Sequence, residues 1–422
     1  MHGHSSKTID EYDAVGFDMD LCMARYHLKA LVKDSYETVA LVLVKDVGYP
    51  SEMFPDDEEY EEYFKLFGRC VIDMTNLNVL KVTYDGEVLK AFDGLREMTA
   101  EEIKAAYGEK PSIGAQDWSQ LYIKDKFYLI SDIFKADYLI GMIRIKELLK
   151  SKGKYPMLER KTGHDIHLDF RKGVFSNHHH FQGDTYVEPS NFGFFIPMLN
   201  VNTKRYVAKT ERTFFEKLHE LKKAGKIIFI VTNAHVGYFD IVFPFFTQDY
   251  PGAIDLFDYV AMHAGKPVFF EKDNRETYKV DYSKKNLKSP HGMDFVENKF
   301  LLEGNSKTLT EEFKRKLNKD DVKVLFFGDN MITDMACQAT PGWDGAFIFE
   351  ELTESCPDLS KRADHSDFTT RWGSWLRDRT VDGREVDTLA FHLSKHLVAK
   401  TFSRVTSAEC LDSLTLKPKP TA

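Results

Sequence analysis

The stretch VGFDMDLC (Val15–Cys22) ends an apolar run with two aspartates one residue apart, Asp18 and Asp20. Like charges repel each other, and carboxylates lose favourable hydration when they are buried. A buried strand therefore has no structural reason to end in this way. A divalent cation could hold the two aspartates together, because it compensates negative charge.

Other polar residues follow later apolar runs in the same manner. Thr232 and Asn233 follow KIIFIV, Lys266 comes shortly after FDYVAM, and the segment GDNMITD places Asp329 and Asp334 after VKVLFF. The carboxyl ends of the parallel strands in an open α/β sheet face one crevice, where ligands bind. We therefore expect these side chains to converge with Asp18 and Asp20.

Such a cluster could transfer a phosphoryl group. Mg²⁺ prefers oxygen ligands and often binds one or two carboxylates together with substrate phosphate. Asp18 and Asp329 could hold the ion, with the backbone carbonyl of Asp20. A carboxylate beside Mg²⁺ and Lys266 could attack phosphorus and form an aspartyl-phosphate, because the metal and the lysine offset the charge repulsion.

The remaining residues fit the supporting roles of this reaction. Asp20 could protonate the leaving oxygen and then deprotonate the attacking water, provided that its side chain turns away from the metal. Thr232 and the backbone N–H groups after it could bind phosphate oxygens.

Each motif also has a structural interpretation when it is taken alone. A DxD pair is commonly a turn, GDNMITD could be a turn followed by a helix cap, and Lys266 could be a solvated surface charge. Thr232 and Asn233 could simply end a strand and cap a helix. All four occur in one order, each after or near an apolar strand, and this joint pattern favours catalysis.

The elements that must position these residues are four buried strands, predicted at 14–17, 226–231, 257–262 and 322–327. Continuous apolar runs of this kind are typical of parallel sheets. Amphipathic helices precede the second and the fourth strand. We predict capping boxes at Thr213 with Glu216 and at Thr308 with Glu311, and a helix end at Gly225.

The long interval between the first and the second strand predicts an inserted domain with helices of its own. We predict a discontinuous core (1–27 and 206–355), an inserted mixed α/β cap (28–205), a C-terminal extension packed on the core (356–403) and a disordered tail (404–422). The fold class is then α/β, a parallel sheet with a large insertion.

Composition and charge argue against several classes of protein. The 422 residues carry a formal net charge of −9, which disfavours nucleic acid as a partner. The five cysteines are scattered and form no CxxC pair, and the sequence contains no apolar run long enough to span a membrane. We expect a soluble, cytoplasmic protein without a membrane partner.

The segments FDMDLC, IVTN, KPVFF and FFGDNMITD resemble the four motifs of the haloacid dehalogenase superfamily, and more narrowly those of the cytosolic purine 5′-nucleotidase family. The resemblance extends from about Asp13 to Leu352. It implies a Rossmann-like core with a cap, Mg²⁺ as cofactor and a nucleoside monophosphate as substrate. By position the resemblance also implies a role for each motif residue. Asp18 is then the nucleophile, and Asp20 is the general acid and base. Thr232 and Asn233 bind phosphate, Lys266 stabilises the nucleophile and the phosphate, Asp329 binds the metal, and Asp334 orients the water ligands of the metal.

The chain departs from the family pattern at several positions. Cys22 replaces the usual threonine of the first motif, either as a small buried packing residue or as a reactive thiol. In the cap, HHFQG (His179–Gly183) and the Phe134–Lys135 pair correspond to nucleotide-binding segments of the family. His180 and Phe134 are retained there as candidate substrate-binding residues.

Three functional interpretations remain open from the sequence. The first is an Mg²⁺-dependent phosphohydrolase acting on a small phosphate ester, with nucleoside 5′-monophosphates as the leading substrates. The second is a binding or scaffold protein with little turnover, which Cys22 and the altered cap favour. The third is a phosphotransferase. The aromatic segment 368–378 could pack on the core or form the interface of a homo-oligomer.

Overall fold

The computed structural model describes residues 7–66, 68–120, 122–123, 126–177, 193–280, 299–348, 377–393 and 415–416. The strands in these ranges are β1 (Lys7–Thr8), β2 (Ala14–Phe17), β3 (Arg25–Tyr26), β4 (Val71–Asp73), β5 (Asn78–Val82), β6 (Val88–Asp93), β7 (Arg96–Glu97), β8 (Tyr122–Ile123), β9 (Phe127–Leu129), β10 (Val207–Ala208), β11 (Ile227–Val231), β12 (Tyr259–Met262), β13 (Thr277–Lys279), β14 (Phe300–Glu303), β15 (Val324–Gly328), β16 (Trp343–Phe347), β17 (Arg377–Arg379), β18 (Glu385–Asp387) and β19 (Thr415–Leu416).

The α-helices of the same ranges are α1 (Leu28–Val42), α2 (Asp57–Lys65), α3 (Ala100–Tyr107), α4 (Ala136–Leu149), α5 (Pro156–Glu159), α6 (Gly163–Asn177), α7 (Phe195–Val201), α8 (Thr203–Tyr206), α9 (Arg212–Lys223), α10 (Val236–Phe246), α11 (Val268–Glu271), α12 (Ser306–Leu317) and α13 (Leu389–Leu393). A five-residue π-helix, Leu43–Val47, extends α1. Short 3-10 helices lie at Ile9–Glu11, Ser51–Met53, Ile133–Lys135, Ala253–Leu256 and Met335–Ala339.

A seven-stranded sheet forms one layer of the molecule, in the order β13–β14–β12–β11–β2–β15–β16. All neighbouring strands in it are parallel except β13, which runs antiparallel to β14. The four predicted strands are β2, β11, β12 and β15, and they occupy adjacent central positions. The predicted mixed α/β architecture with a parallel sheet is therefore confirmed.

Helices cover both faces of this sheet, which explains why its strands are continuous apolar runs. On one face the ring of Phe17 packs edge-on against Phe214 of α9, with ring centroids 5.8 Å apart. On the other face the ring of Phe229 in β11 packs against that of Phe313 in α12, with ring centroids 4.9 Å apart. Alternate residues of each strand thus enter two separate hydrophobic clusters.

The two predicted capping boxes are wrong, although both helices exist. Helix α9 begins at Arg212 after Glu211, and Glu216 forms an ion pair with Arg212 at 2.8 Å instead of capping the helix. Helix α12 begins two residues before Thr308. Asn305 caps it, because its side-chain oxygen accepts the Thr308 backbone N–H at 2.8 Å. Gly225, at φ +86°, lies just beyond α9 as predicted.

Residues between β3 and β10 form a second sheet with its own helices. The sheet has six antiparallel strands in the order β7–β6–β5–β4–β9–β8. Helix α6 packs closely against α4 and α1. A Cβ atom at Gly141 of α4 would lie only 2.0 Å from the Phe170 ring of α6, and one at Gly173 of α6 would lie 2.7 Å from the Val39 side chain of α1. The chain leaves the parallel sheet through β3 and returns through β10, and these two strands pair antiparallel.

The described C-terminal residues contact both sheets. Asp378 forms an ion pair with Lys81 of β5, and Arg384 pairs with Glu87 at 2.7 Å. Leu389 and Ala390 enter a hydrophobic cluster that also contains residues of β5, β6 and β16. Of the aromatic segment 368–378, only residues 377–378 lie within the described ranges.

Thr415 and Leu416 belong to the stretch predicted to be a disordered tail, yet they form a strand paired with Lys7–Thr8. The rest of that stretch lies outside the described residues. Among the described helices, none combines the length and the apolar character that crossing a bilayer requires. Cys22, Cys70 and Cys337 are buried and form no disulfide.

Replacing Gly16 with alanine should destabilise the protein by about 1–3 kcal/mol, because the new methyl group overpacks the sheet. An ideal Cβ atom at Gly16 would lie 2.2 Å from the ring of Phe229, its register partner in β11. The measurement is the shift of the urea unfolding midpoint. In a Phe229→Leu background the same glycine substitution should lower the free energy of unfolding by less. An equal cost in both backgrounds would contradict the steric explanation.

The Asp34→Asn variant should lose about 1–3 kcal/mol of stability at pH 7, the range for hydrogen bonds to charged groups. Asp34 of α1 is buried and accepts hydrogen bonds from Arg205, at 2.6 and 2.9 Å, and from Tyr206 at 2.7 Å. Burial alone would raise the pKa of Asp34, but these donors outweigh burial and lower the pKa below its ordinary value.

A lowered pKa means that the stabilisation by Asp34 is complete above the unfolded-state pKa and disappears as the pH falls through the folded-state pKa. The stability gap between wild type and variant, measured by urea unfolding, should therefore shrink below about pH 4. Glu216→Gln, which breaks an exposed ion pair, is the matched control and should cost less than about 0.5 kcal/mol. A gap that stays constant with pH would contradict the assignment.

Candidate active site

Three strand ends meet at one edge of the parallel sheet. Phe17, the last residue of β2, is in register with Ile230 of β11 and with Phe327 of β15. The backbone N–H of Asp18 continues the ladder by donating to the Phe327 carbonyl at 2.8 Å. Because the three strands are parallel and adjacent, the residues after each of them, including Asp18, lie side by side.

Lys266 reaches this edge from the loop after β12, and Asn233 holds that loop. The Asn233 side-chain oxygen accepts the Lys266 backbone N–H at 2.7 Å, and its amide nitrogen donates to the Lys266 carbonyl at 3.1 Å. The Asn233 side chain therefore fixes the backbone of Lys266. Phosphate binding by Asn233 stays a prediction. Thr232 is buried beside it, and its hydroxyl oxygen accepts the Ala234 N–H at 3.1 Å.

The Lys266 ammonium group lies between two carboxylates. Its Nζ atom is 3.0 Å from Asp18 Oδ2 and 2.6 Å from Asp334 Oδ1, and the lysine side chain is only 1% exposed. Burial by itself lowers the pKa of a lysine, but here the two carboxylates reverse the effect and raise the pKa of Lys266 above its usual value. Lys266 therefore stays positively charged.

Asp334 approaches the site because Gly328 leaves room for it. A Cβ atom at Gly328 would lie 2.4 Å from the Asp334 Cβ. The second carboxylate oxygen of Asp334 accepts the Asn330 backbone N–H at 2.9 Å. The glycine of the FFGDN sequence is thus a steric requirement of the site.

Asp18, Asp329 and Asp334 form a compact acidic cluster, with one ligand oxygen of each within 4.8 Å of the others. All three are buried. Burial raises the pKa of Asp329 well above its usual value, and the neighbouring carboxylates raise it further. One ammonium group cannot compensate three buried carboxylates, so this set of oxygen donors fits a hard divalent cation.

Asp20 turns to a different set of partners. Its Oδ1 atom accepts the Tyr26 hydroxyl at 2.5 Å, and Tyr26 contacts the Tyr238 hydroxyl at 2.9 Å. Desolvation raises the pKa of Asp20 to about 7, and the nearby Asp18 raises it as well. Desolvation also raises the pKa of Asp18, to about 6, although the positive charge of Lys266 opposes the shift.

Cys22 lies next to the site and is buried, as a packing residue would be. Its thiol donates to the Phe327 carbonyl at 3.5 Å. Burial raises the pKa of Cys22 well above its usual value, and the neighbouring aspartates add to the shift. A raised pKa disfavours the thiolate form, so the alternative of a reactive thiol is not supported.

A cleft of about 300 Å³ connects the acidic cluster with the helices of the inserted segment. Asp18, Asp20, Thr232, Lys266 and Asp329 line one end of it. Phe134, which is 45% exposed, and Phe195 of α7 contribute aromatic surface to the wall. His180, the other predicted substrate-binding residue, lies outside the described residues.

Several cleft residues could not be found from the sequence pattern. Asp132 is buried, forms an ion pair with Lys135 and accepts a hydrogen bond from the Asn330 side chain at 2.7 Å. Asp137 accepts the Ser35 hydroxyl at 3.2 Å, and burial raises its pKa to about 6. Tyr26 and Tyr238 are also absent from the predicted set. Only Asn330, adjacent to Asp329, carried a local signal.

Two curated relatives resemble the chain over most of its length. A human protein named 5′-nucleotidase domain-containing protein 1 is 26% identical over 370 residues, which cover 86% of this chain and 77% of the human protein. The protein of the same name from Bos taurus is 25% identical over 435 residues, covering 96% of this chain and 91% of its own length.

The sequence model of the 5′ nucleotidase family matches residues 5–382. This range includes β2, β11, β12 and β15 together with the polar residues at their ends. The match extends over well more than half of the 422 residues. The chain therefore belongs to the 5′ nucleotidase family.

Proposed function

We propose that this protein is an Mg²⁺-dependent hydrolase of phosphate monoesters that acts through an aspartyl-phosphate on Asp18. The observation that carries the proposal is the buried cluster of Asp18, Lys266, Asp329 and Asp334 at one end of the cleft. Family membership supports hydrolysis of a phosphate monoester. Nucleoside 5′-monophosphates are the proposed substrates, in keeping with the names of the family and of its relatives.

The proposed architecture is a haloacid dehalogenase-like core with an inserted cap. Residues 1–27 and 206–355 form the core, and residues 28–205 form the cap. The pairing of β3 with β10 supports these boundaries, because the chain leaves and re-enters the core at this point. The six-stranded antiparallel sheet and helices α1, α4 and α6 then belong to the cap. Residues 356–403 are proposed to form a C-terminal extension, whose described residues 377–393 contact the antiparallel sheet as well as β16 of the core.

Mg²⁺ held by Asp18 and Asp329, with Asp334 orienting its water ligands, would neutralise charge on the phosphate during transfer. Lys266 acts in the same direction, since its ammonium group lies 3.0 Å from Asp18 Oδ2. It reduces the repulsion between the Asp18 carboxylate and an anionic substrate. Thr232 and Asn233, which line the same cleft as Asp18, are proposed to bind phosphate oxygens.

The proposed reaction has two steps, transfer of the phosphoryl group to Asp18 and hydrolysis of the aspartyl-phosphate. In the first, an Asp18 oxygen bonds to phosphorus, the bond from phosphorus to the nucleoside 5′ oxygen breaks, and Asp20 gives its proton to that oxygen. In the second, Asp20 takes a proton from water while the water oxygen bonds to phosphorus. The bond to Asp18 breaks, and inorganic phosphate leaves.

The aromatic wall of the cleft provides the proposed nucleoside site. Phe134 is largely exposed for a phenylalanine and lines the same cleft as Asp18. An exposed aromatic ring can stack on a nucleobase of any identity. Phe134 is therefore proposed to bind the nucleoside. The same role is proposed for His180 on the family resemblance alone.

Asp18→Asn should lower phosphate release from nucleoside 5′-monophosphates by at least about 10³-fold, because it removes the nucleophile. A colorimetric assay of inorganic phosphate over a panel of purine and pyrimidine monophosphates measures the effect. Asp255→Asn, at a side chain that is 86% exposed and outside the cleft, is the matched control and should keep wild-type activity. Equal background release by wild type and Asp18→Asn would remove the proposed function for these substrates.

Removal of divalent cations with EDTA should abolish phosphate release, and added Mg²⁺ should restore it. Asp329→Asn should raise the Mg²⁺ concentration needed for half-maximal activity by about 10-fold or more, since it removes a charged ligand. A second readout is the Mg²⁺-dependent rise in thermal unfolding temperature, which should be weaker in this variant than in Asp255→Asn. Full activity after exhaustive chelation would contradict the metal assignment.

A further inference from the structure

Two tyrosines lie beside Asp20, the buried Tyr26 and the partly buried Tyr238, and neither belongs to the motifs at the strand ends. Tyr26 is the last residue of β3, and Tyr238 lies in the first turn of α10. We propose that Tyr26, held by Tyr238, positions the acidic proton of Asp20 for transfer to the leaving oxygen. This inference rests on the proposed hydrolase function and assigns a positioning role to both tyrosines.

The donor and acceptor roles in this group follow from the number of protons available. Tyr26 has one hydroxyl proton, which it donates to Asp20 Oδ1 at 2.5 Å. The 2.9 Å contact between the two tyrosine oxygens therefore requires Tyr238 to donate to Tyr26. The result is a directed chain from Tyr238 through Tyr26 to Asp20.

This chain makes the two oxygens of the Asp20 carboxyl group different. Oδ1 already accepts a hydrogen bond from Tyr26. A proton on Asp20 is therefore held on Oδ2, where it can be given to a substrate oxygen. Without Tyr26, the proton could reside on either oxygen and the carboxyl group could rotate, so fewer encounters would have the geometry that proton transfer needs.

The surroundings of Tyr26 keep its side chain in place. Tyr26 is 3% exposed, and its backbone is in register with Val207 of β10. The Phe134 ring packs edge-on against Tyr26, with centroids 6.0 Å apart. Tyr238 lines the same cleft as Asp20. The orientation of Asp20 is thus set by residues from both sides of the cleft.

A general acid matters most for a poor leaving group, and this separates a positioning role from simple packing. The 5′ oxygen of a nucleoside leaves as a strongly basic alkoxide unless it is protonated. The p-nitrophenolate ion is a stable anion and leaves without a proton. The experiment compares kcat/KM for a nucleoside 5′-monophosphate and for p-nitrophenyl phosphate in wild type and in Tyr26→Phe.

Tyr26→Phe should lower kcat/KM for the nucleotide by about 10- to 100-fold, within the contribution of general acid catalysis, and for p-nitrophenyl phosphate by less than about 3-fold. Tyr238→Phe, which leaves Tyr26 intact, should show the same selectivity with a smaller loss. It also provides the test if Tyr26→Phe fails to fold. Tyr259→Phe is the matched control, because its hydroxyl donates to Glu312 at 2.8 Å on another part of the sheet, and both activities should be retained.

An equal loss on both substrates in Tyr26→Phe and Tyr238→Phe, or no loss on either, would overturn the positioning role. Wild type and Asp18→Asn are assayed in parallel with both substrates. Background-level release by both proteins would mean instead that the proposed function has failed, and the inference would fall with it. A selective loss on the nucleotide, with wild-type activity well above that of Asp18→Asn, would support both.

Discussion

The ammonium group of Lys266, enclosed between the carboxylates of Asp18 and Asp334, is the interaction on which the rest of the site depends. A charge with a side-chain exposure of 1% is stable only when opposite charges are held against it. Those charges come from the ends of two different strands, and the lysine comes from the loop after a third. The ion pairs therefore require β2, β12 and β15 to be assembled in one sheet.

The same charge distribution explains why the site has capacity for a cation. Three buried carboxylates with oxygens within 4.8 Å of one another carry more negative charge than Lys266 can offset. The raised pKa of Asp329 expresses this excess, because burial and its acidic neighbours both disfavour its charged form. A cluster of this kind costs stability where no ligand is bound, and such a cost is expected at functional sites.

Two layers of the molecule meet at the cleft, through polar and through aromatic contacts. Asn330, which follows Asp329, donates a hydrogen bond to the buried Asp132, which follows β9 of the antiparallel sheet. Tyr26 contacts Phe134 across the opening. The curated relatives are only about one quarter identical to the chain, yet their similarity extends over most of its length. The similarity to the relatives therefore covers both layers, and each layer contributes residues to the cleft.

The sequence by itself determined the parallel sheet and the places where polar residues gather, because strands buried on both faces must be apolar runs and their ends must carry the chemistry. It did not determine where the helices begin, because a single local hydrogen bond, such as the one at Asn305, can move the start of a helix by a turn. Only the tertiary structure decided that Asn233 fixes the Lys266 backbone and that Tyr26 holds Asp20. These hydrogen bonds depend on how loops and helices return to the sheet, a geometry that neither periodicity nor spacing along the chain encodes.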